Sequence, residues 1–147
     1  MNLFITCLHL DHRTEPRRIR EFKEIYRKSI EIRQNTSHIL AGDFNALTKT
    51  DYEMEDWNEI CKIRDLNSWE KPKIELTNMI GKLGYFDTWT LAGKPKPIKT
   101  CRFDTHIDYV FANAMFLANY KVASVLHLDD PASDHNMVIT TFEEKRK

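Results

Sequence analysis

Six residues of this sequence have side chains that can do chemistry together: His9, Asp43, Asn45, Asp108, Asp134 and His135. All fall at the ends of β-prone runs or in the turns beside them, and strands of one sheet can bring such positions to a single rim. The chemistry they share is phosphoester hydrolysis. Carboxylates hold a divalent cation, an imidazole takes or steadies a proton or a phosphate oxygen, and an acid behind the imidazole fixes its tautomer. Each residue alone has an ordinary explanation: a surface histidine for His9, a buried structural acid for Asp108, a turn residue for Asp134. One site accounts for all six at once.

The elements that must position them follow from patterning. In residues 38–48, Ile39, Leu40 and Ala41 make an apolar run that fits a strand buried on both faces. Gly42 then allows a close backbone approach or a turn. If the extended geometry persists through Phe44, Asp43 and Asn45 point the same way and Phe44 anchors the opposite side. The competing reading is an Asp-Phe-Asn turn, since both polar residues readily bond their own backbone. Residues 106–111 form the next strong strand, with Ile107, Tyr109 and Phe111 on one face and His106, Asp108 and Val110 on the other. A carboxylate inside such a run needs a donor or a cation as partner.

Further strands are expected over 3–10, 121–128 and 137–142, with a short extended segment over 85–89 and a frayed tail from 143. Thr14 and Pro16 open a helix whose apolar face carries Ile19, Phe22, Tyr26 and Ile30, with Ile25 and Ile32 alongside. Its other side is laced at i,i+4 by Arg17 with Glu21, Arg20 with Glu24, Glu24 with Lys28 and Arg27 with Glu31. Thr50 to Glu53 fits a capping box for a second helix that buries Trp57, Ile60, Cys61 and Ile63 and ends at Asn67 and Ser68. A third helix is expected over 72–83, with Leu76, Met79, Ile80 and Leu83 at helical spacing and Gly84 as its stop. Residues 92–100 read as a proline-bearing loop. There Lys94, Lys96 and Lys99, with Arg102, form a local basic patch without interleaved acids, able to contact phosphate or nucleic acid.

Composition narrows the class. The 147 residues are most simply a single domain, 1–147, able to bury about two thirds of the surface the unfolded chain exposes. Apolar content of 41% with 8 Phe, 5 Tyr and 3 Trp supplies a core and argues against disorder. With 22 basic and 22 acidic residues the net charge is zero, so polyanion recognition must be local. Cys7, Cys61 and Cys101 are far apart and lack Cys-x-x-Cys spacing, which disfavours a zinc or redox motif; reduced thiols point to cytoplasm or nucleus. Residues 3–8 are too short for a membrane span and carry neither a basic leader nor a cleavage site. A core-like strand at the first residues leads us to expect that upstream structure is missing.

Four motifs in order, Thr6-Cys7-Leu8-His9-Leu10, Gly42-Asp43-Phe44-Asn45, Ile107-Asp108-Tyr109-Val110-Phe111 and Ser133-Asp134-His135, resemble the endonuclease/exonuclease/phosphatase superfamily of metal-dependent phosphoesterases. The first matches that family's Thr-His-Leu strand imperfectly. The resemblance implies an α+β sandwich with a mixed, mostly antiparallel sheet and helices on one face. It implies a phosphodiester substrate, including nucleic acid, and Mg²⁺, or Mn²⁺ in its place, as cofactor. By the same resemblance Asp43 orients the attacking water, Asn45 contacts phosphate or metal, and Asp134 lies near the metal. Asp108 holds His135, which meets the scissile phosphate, and His9 corresponds to a general acid of some members. His106 stands where the family has Arg, which removes a guanidinium from the rim. The family's early Asn and metal-binding Glu precede the Thr-His-Leu strand and are absent here, so little activity is expected from the chain alone. The strands that go with them are absent too, which uncovers an apolar sheet face suited to self-association or a partner. The alternative function is a silent remnant of this fold acting as an interaction module. Trp69, Trp89 and Phe103 can stack on bases, although packing is the commoner use.

Overall fold

A computed structural model describes residues 2–31, 35–93, 96 and 99–146. The chain runs β1 (Leu3–His9), α1 (Glu15–Ile25), β2 (Ser37–Asp43), α2 (Met54–Leu66), α3 (Glu75–Lys82), β3 (Tyr85–Asp87), α4 (Thr88–Leu91), β4 (Asp108–Asn113), α5 (Ala114–Asn119), β5 (Tyr120–Leu128) and β6 (Met137–Glu144). Strands β1, β2, β4 and β3 lie side by side in that order, and β5 pairs with β6 in a second, two-stranded sheet. The β1–β2 pair is parallel and the remaining pairs are antiparallel. This is the α+β sandwich with a mixed, mostly antiparallel sheet that the motifs imply.

Strand period decides which side chains meet which layer. Leu8, Leu40, Tyr109 and Phe111 project from the larger sheet onto Phe22 of α1 and Leu76 and Ile80 of α3. Each such side chain taken from water is worth about 1.5–3 kcal/mol. The opposite face presents Ile39 and Ala112 to Phe116 of α5 and Phe142 of β6. That cover does not reach β1, whose residues Leu3 and Ile5 share the Ile39 face by register and remain in solvent, Ile5 at 60% exposure. The outer face of the small sheet is apolar as well: Leu126 opposes Ile139, Leu128 opposes Met137, and all four are exposed. Among the described residues no helix is long and apolar enough to cross a membrane.

Tertiary partners explain where local patterning misplaced an element. The expected capping box at Thr50 does not form; residues Lys49–Asp51 make a tight turn and Glu53 precedes α2 without a side-chain cap. Asp51 is drawn into the interior to meet His106 at 2.8 Å. Helix α3 starts at Glu75 rather than Pro72 because its first-turn amide at Leu76 donates to the buried carboxylate of Glu15 at 2.7 Å. Glu70 in turn accepts from the Glu15 amide at the start of α1, and Arg18 donates to both acids, at 2.9 Å to Glu15 and 2.6 Å to Glu70. Two helix N-termini are thus satisfied by acids far away in sequence, with one guanidinium between them. The extended segment after Tyr85 gives way to α4 at Thr88, where the Asp87 carboxylate accepts from the Trp89 and Thr90 amides. Strand β6 continues through Glu144 instead of fraying at 143. From α1, Glu24 pairs with Lys28 in the turn that follows, as expected, whereas Arg17 reaches Asp11. Ile32 and the Ile30 side chain lie outside what the structure describes.

Gly42 holds the β1–β2 contact. Its φ of +133° favours glycine, and a Cβ there would lie 2.0 Å from the Leu8 carbonyl oxygen. Gly42→Ala is expected to lower the unfolding free energy by about 2 to 6 kcal/mol, combining backbone strain with overpacking. Urea denaturation followed by circular dichroism reads this directly. An unchanged midpoint would mean that β1 does not seat on β2 in this way.

Candidate functional site

The rim where β2 ends and β4 begins carries the chemistry. In the β2–β4 register Asp43 stands directly opposite Asp108. Like charges so placed repel, which a sheet tolerates only where something positive intervenes. His135 arrives from the loop before β6, its Nδ1 3.0 and 3.2 Å from the two Asp108 carboxylate oxygens. An ionised carboxylate only accepts, so Nδ1–H donates and Nε2 is the nitrogen left for a substrate. One ligand atom from each of Asp43, Asp108 and His135 lies within 4.8 Å of the others.

Asn45 and His9 complete the group around Asp43. The chain leaves β2 after Asp43, and Asn45 takes a left-handed φ of +48°. Its backbone N–H donates to Asp43 Oδ1 at 2.7 Å, and its side-chain amide donates to Asp43 Oδ2 at 3.1 Å and to the Leu10 carbonyl at 2.9 Å. The turn and the shared orientation of Asp43 and Asn45 are therefore both realised, by a different backbone from the extended one expected. Phe44 between them is fully buried, edge-on to Tyr109 and Phe111. His9 follows from the β1–β2 register and places Nε2 3.7 Å from Asp43 Oδ2, its ring 79% exposed. Asp134 lies outside the cluster of three, with its carboxylate 3.5 Å from the Arg102 guanidinium.

The fields at the rim follow from this arrangement. Burial raises the Asp43 carboxyl above its usual range, and opposed Asp108 adds to the rise against the Asn45 N–H, His135 and His9. Burial by itself would lower His135, but its hydrogen bond to Asp108 and the charges of Asp108, Asp43 and Asp134 carry it above its ordinary value.

Sequence reasoning missed the residue that ties the rim together. Thr100 is fully buried, and its hydroxyl oxygen accepts from the Ile107 and Asp108 amides, both at 3.0 Å. Its carbonyl accepts from the Asn136 amide at 2.8 Å, while Cys101 bridges to His135. One threonine thus seats both Asp108 and the His135 loop, and nothing in a loop sequence marks a hydroxyl for that use. Two other expectations are corrected. His106 is not a rim residue: it is buried, bonded to Asp51 and to the Tyr52 hydroxyl, and lies 4.0 Å from the Tyr109 ring centre. The basic patch is not free of acids: Lys96 pairs with Glu53 at 3.7 Å, Lys99 with Asp104 at 3.0 Å and Arg102 with Asp134. Lys94 lies outside the described residues.

Together the two sheets and the helices packed on them define an α+β sandwich with a mixed, mostly antiparallel larger sheet. No family model and no curated protein matches the sequence. Solved structures do match. A functionally unknown conserved protein from Enterococcus faecalis V583 superposes over 96% of this chain and 50% of its own, with a TM-score of 0.68 at 18% identity. The human Nocturnin catalytic domain, solved with bound sulfate, matches over 96% of this chain and 46% of its own, with a TM-score of 0.55 at 17% identity. At such identities the shared property is the fold, and the present chain spans about half the length of these structures.

In metal-free protein, an NMR titration of His135 is expected to give a midpoint above 6.5. Because the folded state holds this proton more tightly, protonated His135 stabilises the fold fully below about pH 6.5, and that contribution is lost as pH rises through the folded-state midpoint. Asp108→Asn should move the midpoint down, since burial then acts against a weaker partner. A midpoint unmoved by that substitution would break the assigned Asp108–His135 bond.

Proposed function

We propose that this chain carries a divalent-metal-dependent phosphodiesterase domain, hydrolysing phosphoester bonds of nucleic acid or a related phosphodiester. The observation that carries the reading is the Asp43–Asp108 pair, two carboxylates held opposite each other by strand register with His135 bonded to one of them. Such a pair suits a divalent ion, because hard carboxylate oxygens bind it and its charge relieves their repulsion. Asp43, with Asn45 beside it, would hold Mg²⁺ or Mn²⁺, and Asp108 and His135 lie within reach. Asp134 joins that set only by leaving Arg102. When bound, the cation supplies charge stabilisation to the phosphate.

The remaining roles fall to the chain's own groups. Asp43, its carboxyl raised by burial and clamped by Asn45, accepts the proton of the attacking water as the new phosphorus–oxygen bond forms. His135, oriented by Asp108 and readily protonated, meets a phosphate oxygen. His9, exposed at the end of β1, is the group able to give the departing ester oxygen its proton as the second bond breaks. The chain acts as one domain, and the three free cysteines support a cytoplasmic or nuclear setting.

Mg²⁺-dependent hydrolysis of bis(p-nitrophenyl) phosphate tests the proposal, with Asp43→Ala expected to lose about 10²- to 10³-fold in rate. Equal background rates in both proteins would sink it. The exposed Leu3, Ile5, Leu126, Leu128, Met137 and Ile139 favour a second reading, a silent module that self-associates or binds a partner through its uncovered sheet faces. Sedimentation analysis separates the two: the module should associate as concentration rises, and a monomer at every concentration would reject its self-associating form.

A further inference from the structure

By sequence α1 is a helix laced with charges of both signs, but the fold does not leave both signs outside. Glu15 is 1% exposed, its carboxylate committed to Arg18 and the Leu76 amide. Glu21 is half-buried and accepts from the Asp11 amide at 2.7 Å. Asp11 in turn accepts from the Arg13 and Thr14 amides. Acids at the start of the helix are thus taken up by backbone N–H groups and one buried guanidinium.

The cations stay in water. Between residues 12 and 31 the exposed positions carry Arg13, Arg17, Arg20, Lys23, Arg27 and Lys28 against two acids, Glu24 and Glu31. Glu24 serves Arg27 at 2.9 Å and Lys28 at 3.6 Å together. The Arg20–Glu24 pair that the spacing suggests is not made, and no acid among the described residues pairs with Arg20 or Lys23. Helical spacing sets Arg17, Arg20, Arg27 and Lys28 on the side opposite the core residue Phe22, a stripe about 16 Å long. In a chain of zero net charge this is a segregation of sign, since the start of α2 carries Glu53, Glu55, Asp56 and Glu59.

What the stripe lacks narrows its partner. None of the exposed large apolar side chains belongs to α1 or to α3 beside it. A protein interface needs apolar or aromatic anchors at its centre, and a single nucleic-acid strand needs rings to stack on. A duplex curves away from a straight stripe, and a helix packed into a layer does not enter a groove. Lipid headgroups differ: they form a plane and move sideways within it, so each cation of a helix lying tangent to that plane gathers its own anion.

We propose that the outer face of α1 docks this protein on an anionic lipid surface through these six cations, independently of the rim chemistry. With no exposed apolar side chain on α1 to enter the bilayer, the attachment is peripheral, reversible and governed by ionic strength.

Cosedimentation of the full chain with vesicles tests this. Vesicles of phosphatidylcholine with about one third phosphatidylserine are expected to retain the protein at low salt and release it at high salt, while phosphatidylcholine alone retains none. Arg20→Gln and Lys23→Gln remove cations without an ion-pair partner, so circular dichroism should be unchanged, yet each should lower the partition coefficient about fivefold. Lys62→Gln, the same charge change on α2, should leave partitioning unaltered. Failure of the serine-containing vesicles to retain the protein, retention indifferent to salt, or an equal effect of all three substitutions overturns the proposal. So does capture of an oligonucleotide that depends on Arg20 and Lys23 without vesicle binding, which would give the stripe to nucleic acid.

Discussion

The register between β2 and β4 governs the rest of this molecule. It sets two carboxylates, Asp43 and Asp108, opposite each other at the end of a strand pair, an arrangement a sheet does not adopt for stability. A slip of one residue would send every side chain of β2 to the other face, taking Leu40 away from Phe22, Leu76 and Ile80 and Ile39 away from Phe116 and Phe142. Packing on both faces of β2 therefore fixes the pairing, and the like-charge pair is carried along with it. His135 then offsets part of the repulsion, and a cation would offset more.

Around that constraint the interior is stitched by polar groups as much as by apolar ones. Glu15, Arg18 and Glu70 join the starts of α1 and α3 to the loop after α2. Asp51 and His106 do the same on the other flank, where the Tyr109 hydroxyl lies 3.4 Å from the Asp51 carboxylate and 3.1 Å from the His106 carbonyl. Burial raises the Tyr109 hydroxyl well above its ordinary pKa, so this junction stays a neutral donor. Removing one partner of such a buried pair would strand the other without solvent, typically a loss of about 3–5 kcal/mol.

The larger sheet is covered fully by helices on one face and only in part by α5 and the small sheet on the other. Leu3 and Ile5 of β1 extend past that cover, in a chain that spans about half the length of the structures it matches. The rim lies where the covered strands β2 and β4 meet this open flank at β1, which is how His9 comes to be both adjacent to Asp43 and largely in solvent.

Much of this was legible in the chain. Alternation in 3–9, the apolar run 39–41 and the Ile107-Tyr109-Phe111 face place three strands of the larger sheet, because period-two burial is written locally. Those strand ends in turn mark His9, Asp43 and Asp108 as neighbours. Local patterning misplaced the start of α3, proposed a cap at Thr50 and left α4 and α5 unmarked, since those boundaries answer to Glu15, His106, Asp87 and Asn113 reaching backbone amides or partners that sequence distance conceals. Tertiary structure alone decided that His106 is interior, that Asp134 turns to Arg102, and that Thr100 holds Asp108 and the His135 loop together. The physical reason is that a strand's pattern is set by its own burial, whereas a hydroxyl, an imidazole or a carboxylate is defined by its partner, and the fold chooses the partner.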